Sequence, residues 1–389
     1  MSRVAVVGVG QTKFVRSYPG SIREMVFEAF KEAMVDSQMT VKDIDATIVC
    51  SAPEYDKQRS PSGVMAEYLG LNPQPTFYTE SLCSSSTTGL RLAYSLVKAG
   101  LHDTVMILGF QKMSEISAAE SQERMGRGTD IQWEAPFGTM MPAYYAMFAR
   151  GHMAKYGTTL DDLAQVRIKA STYSVFNDKA MMRKQLPADA FKDPANPLTN
   201  ILSSPLRVGD CCSNADGASC IIVAGEKKAK ALSKKPVWIL GLGSATAPVN
   251  MAGRESFYTL PAATEAARQA YKMAGLQPKD INVAEVHDCF TIAEILAYES
   301  LGFAKPGEGP ALVRSKETYK EGRIPVNIDG GLLTKGHPVG ATGGSQIRTI
   351  VLQLRGEAGD MQVKNPAIGL AHNVGGVGLY ANVSILGRE

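Results

Sequence analysis

Six of the eighteen residues from Asn327 to Gly344 (NIDGGLLTKGHPVGATGG) are glycine, and His337 stands among them. Glycine lets backbone approach a ligand closely and take φ angles that other residues avoid. A histidine held between Gly336 and Pro338, ahead of the helix-like run GGSQIRTIVLQLRG, is a candidate general base. The competing reading is a structural turn whose histidine caps a helix. Cys83 is the second such residue. It follows FYTESL and precedes SSSTTGLRLAY, a strand-to-helix junction whose orphan N–H groups and positive helix end favour thiolate. That position predicts a depressed thiol pKa and rapid alkylation. A buried cysteine ahead of a serine-rich cap is the blander alternative.

His287 and Cys289 stand together in EVHDCF, where a strand-like run ends, and strand ends are where ligands gather in α/β sheets. His372, in GLAHNVGGVG, closes another such run and leads into a glycine turn. The chain has five histidines; the remaining two, His102 and His152, read as surface residues. The cysteines show no paired CxxC spacing of a zinc site. Cys211, Cys212 and Cys220 flank the apolar run SCIIVAG and read as buried thiols acting as small hydrophobes.

The elements that must hold these residues repeat. VAVVGVG, a helical run from about Ile22 to Val35 and KDIDATIVCSAP form a strand, a helix, a turn and a strand. From Val237, VWILGLGSAT, EAARQAYKMAG and KDINVAEVHDCF repeat that order, so that Cys50 corresponds to His287. The stretch carrying Cys83 then matches the one carrying His337; DTVMILGF matches PAIGLAHN, and SCIIVAGE matches LYANVSIL. The period is too long for a solenoid, so the reading is a duplicated α/β domain with a pseudo-twofold axis. Its expected bounds are 1–112 with 208–232 for the first half and 233–389 for the second. Residues 113–207, rich in Met, Tyr and charge, have no counterpart and read as an inserted loop domain with helices at AYYAMFARGHMAKYG and TLDDLAQVRIKAS.

Composition excludes several other classes. The net charge of +3 is spread along the chain without a basic block, which argues against nucleic acid. No apolar run approaches the roughly 20 residues of a membrane span, and the N-terminus SRVAVVGVG lacks a signal-peptide layout. A cytoplasmic location follows by default.

Four blocks, LCSSS with Cys83, HDCF with His287 and Cys289, GHPVGATG with His337 and HNVGG with His372, together resemble a thiolase from end to end, the inserted region apart. The resemblance is narrower to the sterol-carrier type and its archaeal acetoacetyl-CoA relatives. It implies two βαβαβ half-domains packed as a five-layered αβαβα sandwich. Commoner thiolases have a second catalytic cysteine where this chain has His372, and an asparagine where HDCF has its histidine. In the sterol-carrier group the HDCF cysteine, here Cys289, supplies the missing acid/base.

The implied reaction is condensation of two acetyl-CoA or its reverse. Cys83 holds the acyl group, His337 takes the thiol proton, Cys289 moves the α-proton, and His287 and His337 face the enolate oxygen. The backbone N–H of Cys83 and one from the turn Asn373–Gly376, where the motif column falls on Val374, face the acyl oxygen, and His372 orients Cys289 or Cys83. No metal or permanently bound cofactor is implied; coenzyme A enters as the carrier of substrate and product, with Ser244 in the loop Ser244-Ala245-Thr246 as a hint of its site. The resemblance further implies a homodimer or tetramer formed through LNPQPTFYTESLCSSS. It also implies a zinc-binding OB-fold partner and a hydroxymethylglutaryl-CoA synthase that consumes acetoacetyl-CoA. The alternatives are a ketoacyl or hydroxymethylglutaryl-CoA synthase, disfavoured by the second thiol, and a thiolase-like retro-aldolase, which lacks the nucleophilic cysteine. A non-catalytic acyl-CoA-channelling scaffold would not need Cys83, Cys289 and His337 together.

Overall fold

The computed structural model describes residues 3–52, 58–138, 140–232 and 235–388. The first half runs β1 (Val4–Gln11), α1 (Ile22–Ser37), β2 (Ala46–Cys50), α2 (Pro61–Tyr68), β3 (Thr76–Thr79), α3 (Ser85–Lys98) and β4 (Thr104–Lys112). The chain leaves for α4 (Ala118–Gly126), α5 (Met141–Tyr156), α6 (Leu160–Ser174) and the short hairpin of β5 (Ile201–Ser203) and β6 (Leu206–Arg207). It returns through β7 (Asp216–Gly225) and α7 (Glu226–Ala231). The expected junction between the halves, at 232/233, adjoins residues outside the described ones.

The second half runs β8 (Val237–Thr246), α8 (Pro261–Ala274), β9 (Val283–Glu285), α9 (Thr291–Ser300), α10 (Gly309–Arg314), α11 (Gly331–Lys335), α12 (Thr342–Arg355), β10 (Ile368–Gly375) and β11 (Tyr380–Gly387). The strand order β3-β2-β4-β7-β1-β8-β11-β10-β9 is a mirrored pair of the same half-sheet. Each half keeps two parallel neighbours, β2 with β4 and β9 with β10, and an antiparallel return. Where β3 pairs with β2, the second half has only a parallel bridge from Ala284 to Val326. The half-sheets join edge to edge where Ala5 and Val6 pair with Trp238 and Val237.

The layers follow from which faces are apolar. β1 is buried along its whole length, the signature of a strand covered on both faces. The α1 stripe of Met25, Val26, Ala29, Phe30 and Ala33 covers one face. Its first turn is closed by a reciprocal Ser21–Glu24 capping box. Between the half-sheets lie α3 and α12, whose Leu90, Ala93, Ile347, Ile350 and Val351 meet Ile48, Ile107 and Ile221. The alanine face of α8 covers the far side. This is the αβαβα arrangement, and truncating a central-layer residue such as Ile347 to alanine costs about 2–5 kcal/mol. Both central helices start at the site. Among the described residues no helix is long and apolar enough to cross a membrane.

Candidate active site

Cys83 sits in a short 3-10 turn, Leu82–Ser84, that runs directly into α3. Leu82 holds φ at 55°, a left-handed conformation that costs a non-glycine residue about 1–3 kcal/mol and is concentrated at functional sites. The second half builds the same device: the turn Val339–Ala341 feeds α12 and follows His337. Gly340 is required there, because a Cβ would come within 2.4 Å of the Phe110 carbonyl oxygen and 2.8 Å of that of Cys50. Gly336, at φ 101°, lets the chain turn just ahead of the histidine.

The two halves bring their chemistry to one point. Cys83 Sγ and one ring nitrogen each of His287 and His337 lie within 4.8 Å of one another. The two imidazoles stand edge to face, with centroids 5.1 Å apart. Cys289 lines the same cavity of about 110 Å³, with Cys83, His287, His337 and Gly376. The segment before β7 ties the catalytic loops together: Cys212 N–H donates to Cys289 O at 2.9 Å, and His337 N–H donates to Ser213 O at 3.0 Å.

Hydrogen bonding sets the two histidines to opposite tautomers. Thr342 Oγ1 donates to Pro338 O at 2.9 Å and lies 2.7 Å from His337 Nδ1. A hydroxyl has one proton to give, so His337 Nδ1–H donates and the lone pair is left on Nε2, as a base requires. Asn373 Nδ2 donates to His287 Nδ1 at 3.0 Å, its oxygen accepting from Thr87 Oγ1 at 2.9 Å. His287 therefore keeps its proton on Nε2, as a donor to a developing oxyanion requires.

Burial keeps the whole set neutral at rest. It lowers His337 to about 4 and, with the neighbouring imidazoles, lowers His287 as well. It pushes the Cys83 thiol up to about 12, against the lowering effect of N–H donors from Gly376 and from Cys83 itself. The thiolate expected at a helix start is thus not the resting state: desolvation outweighs the two N–H donors. Cys289 is raised by burial too, opposed chiefly by a hydrogen bond from the Tyr145 hydroxyl.

Several other expectations need correction. Val374 lies inside β10, opposite Ala381, and Gly376 rather than Val374 points its N–H at Cys83. His372 is fully buried and outside the cavity lining, and neither ring nitrogen is hydrogen bonded to a described residue, so it orients no thiol by such a bond. Ser244 directs its hydroxyl to Asn382 across β8 and β11 instead of toward the cavity. Cys211 and Cys212 are more than core filler, because both line the cavity. His152 is buried, 2.6 Å from Thr158 Oγ1 and 3.1 Å from Glu299 Oε1; it is not a surface residue.

Tyr145 is invisible to sequence reasoning. It reaches in from α5, stacks on Phe290 with centroids 4.4 Å apart, and its hydroxyl also lies 3.3 Å from the Gly376 carbonyl oxygen. In AYYAMFARG nothing separates it from the core residues Tyr144 and Phe148. The Cys83, His287 and His337 set would also offer three ligands to a soft divalent cation.

A half-buried thiol facing two neutral imidazoles and a second thiol, at the crossing of two copies of one α/β half, is the layout of an acyl-transferring thiolase-type enzyme. The chain belongs to the thiolase family: residues 4–181 match the family model of the thiolase N-terminal domain, and residues 243–388 match that described as thiolase C-terminal domain-like. It is 38% identical over 390 residues to the acetyl-CoA acetyltransferase of Methanothermobacter thermautotrophicus, covering 100% of both chains. It is 33% identical over 394 residues to sterol carrier protein 2 of Oryctolagus cuniculus, covering 96% of this chain and 70% of that protein. Among solved structures, the Ltp2-ChsH2(DUF35) aldolase superimposes with a TM-score of 0.85 at 23% identity, covering 99% of this chain and 98% of that one. This last likeness is one of fold.

Proposed function

We propose that this chain is an acyl-CoA C-acyltransferase that condenses two acetyl-CoA to acetoacetyl-CoA and CoA, and runs the reverse thiolysis. The observation that carries this reading is the meeting of Cys83, His287, His337 and Cys289 around one cavity of about 110 Å³. Cys83 Sγ attacks the thioester carbonyl as His337 Nε2 takes its proton. The bond from carbon to the CoA sulfur breaks, and the proton leaves on CoA. Cys289 then passes its own proton to His337 Nε2 and, as thiolate, removes an α-proton from the second acetyl-CoA, whose enolate oxygen is met by the Nε2–H of His287. The α-carbon attacks the acyl carbonyl, the carbon–carbon bond forms, and Cys83 leaves as a thiolate that takes the proton held on His337, while Cys289 keeps the α-proton as its thiol. Neutral groups suit this cycle, since charge appears only as protons move between them. CoA is substrate and product here.

Assembly belongs to the same proposal. β3 is the outer strand of its half-sheet, with Phe77 and Tyr78 exposed. Exposed edges of this kind are usually covered, so a twofold homodimer through β3, or a tetramer of such dimers, is expected. A zinc-binding OB-fold partner and a hydroxymethylglutaryl-CoA synthase downstream, in the cytoplasm and in the mevalonate pathway, follow from the family resemblance. The exposed side chains of Trp133 and Phe137 suit a protein partner. The chemistry is tested by incubating the protein with acetoacetyl-CoA and CoA and following loss of the enolate absorbance. No thiolysis in wild type would overturn the reading.

A further inference from the structure

Ser244 on β8, Asn382 on β11 and Asn373 on β10 stand directly opposite one another across three adjacent strands. Residues opposite in a ladder share a face of the sheet, so the three form one polar row, and the row ends on His287. Ser244 Oγ donates to Asn382 Oδ1, and Asn382 Nδ2 donates to Thr87 Oγ1 at 3.1 Å and Thr88 Oγ1 at 2.9 Å. Thr87 Oγ1 donates to Asn373 Oδ1 at 2.9 Å, and Asn373 Nδ2 donates to His287 Nδ1 at 3.0 Å. Thr87, Asn373, Asn382 and His287 are all buried, where a lost hydrogen bond is costly.

One link in this row is contested. The Thr87 hydroxyl lies 2.9 Å from the Ser84 carbonyl oxygen as well as from Asn373 Oδ1, and it has one proton to give. Given to Ser84, that proton would leave Asn373 to turn its amide, nitrogen toward Thr87 and oxygen toward His287. The imidazole would then carry its proton on Nδ1. Its Nε2 would meet the enolate oxygen as a bare lone pair, with no donor to hold the charge. Asn382 tips the contest. Its Nδ2 lies 3.5 Å from Ser84 O, offering that carbonyl a donor while it occupies a lone pair of Thr87. The Thr87 proton is thereby left for Asn373. Asn382 is itself held from turning, because three acceptors gather at its nitrogen and the Ser244 hydroxyl donates to its oxygen.

We propose that Asn382 is a positioning residue for the enolate step: acting through Thr87 and Asn373, it keeps the proton of His287 on Nε2. The inference rests on the thiolase reading above. Asn382 does not line the catalytic cavity, so its effect on the reaction passes through His287. His337, the base for acylation of Cys83, makes its side-chain hydrogen bond with Thr342 and stands outside the row. The two half-reactions are thus set by separate hydrogen-bond systems.

The test is Asn382→Asp, whose carboxylate keeps the shape of the amide, accepts from Thr87 and has no proton to offer. Wild type and variant are incubated with acetyl-CoA in deuterated buffer, and acylation of Cys83 and α-proton exchange are timed separately. Loss of one oxyanion donor costs about 10²–10³ in rate, so exchange should slow about hundredfold while acylation stays within about threefold of wild type. Thr87→Val, which removes the next link, should slow exchange in the same selective way, and Thr87→Ser should restore it. The companion readout is the histidine ring ¹⁵N spectrum, in which the signal missing from His287→Asn should show a protonated Nε2 in wild type and a protonated Nδ1 in Asn382→Asp. A wild-type His287 protonated on Nδ1 would overturn the inference without recourse to any folded variant. Normal exchange in Asn382→Asp would also overturn it and leave the thiolase reading standing. Equal losses of acylation and exchange would overturn it too, since a merely structural role predicts them. Neither acylation nor exchange in wild type would overturn the thiolase reading with it.

Discussion

His337 Nδ1 lies 2.7 Å from Thr342 Oγ1, and that hydroxyl donates onward to the Pro338 carbonyl at 2.9 Å. The contact fixes which ring nitrogen of His337 can act as a base, and it is made within the turn that starts α12. Thr342→Val keeps the shape and removes the acceptor. General-base catalysis contributes about 10²–10⁴-fold, so a tenfold to hundredfold loss of kcat is expected with KM little changed, and Thr342→Ser should restore most of it. Unchanged kcat in the valine variant would contradict this role.

Tyr145→Phe isolates the second thiol. The hydroxyl lowers the pKa of Cys289, so its removal should move that pKa further up. Exchange of acetyl-CoA α-protons with deuterium should slow, with its pH profile displaced to higher pH, while acylation of Cys83 proceeds. A profile identical to wild type would show that the tyrosine does not act on Cys289.

Alkylation of Cys83 distinguishes a preformed thiolate from a neutral pair. With the thiol pushed up to about 12 and His337 lowered to about 4, the iodoacetamide rate should keep rising with pH from 7 to 10. A plateau below pH 7 would mean that the helix start and the N–H donors outweigh burial after all.

His372 supplies a pH signature of stability. Its folded pKa is lowered to about 4 by burial, below the unfolded value of about 6.5. The stability it contributes is thus present above about pH 6.5 and lost as pH falls toward 4. His372→Leu should lose less stability than wild type between pH 6 and 5, by about 1 kcal/mol, read from urea unfolding at each pH. Equal losses would place the acid sensitivity elsewhere.

The duplication is legible because both halves repeat their strands, helix and Lys-Asp-Ile turn at the same spacing. The observed strand order is the mirrored pair that this repeat implies. Cys83, His287, Cys289 and His337 are legible because glycine-rich turns and strand ends mark such positions locally. What sequence cannot reveal comes from contacts made far along the chain. Tyr145 acts from α5, Cys212 and Ser213 act through backbone groups, and Asn373 is aimed by Thr87 at a separation of 286 residues. Ser244 and Val374 depart from expectation for a related reason: both sit in strands, where the ladder and the facing side chains decide where their groups point. The thiol pKa of Cys83 runs opposite to expectation because a helix start is visible in sequence and the depth of burial is not.

The central claim, that Cys83 carries the acyl group while Cys289 moves the α-proton, has one direct measurement. Wild type, Cys83→Ala and Cys289→Ala are each incubated with acetyl-CoA in deuterated buffer; acylation is read by intact mass and peptide mapping, and α-proton exchange by the mass of recovered acetyl-CoA. The account predicts one acetyl group on Cys83 in wild type and in Cys289→Ala, none in Cys83→Ala, and α-proton exchange lost in Cys289→Ala. Acylation that persists without Cys83, or normal exchange without Cys289, would contradict it.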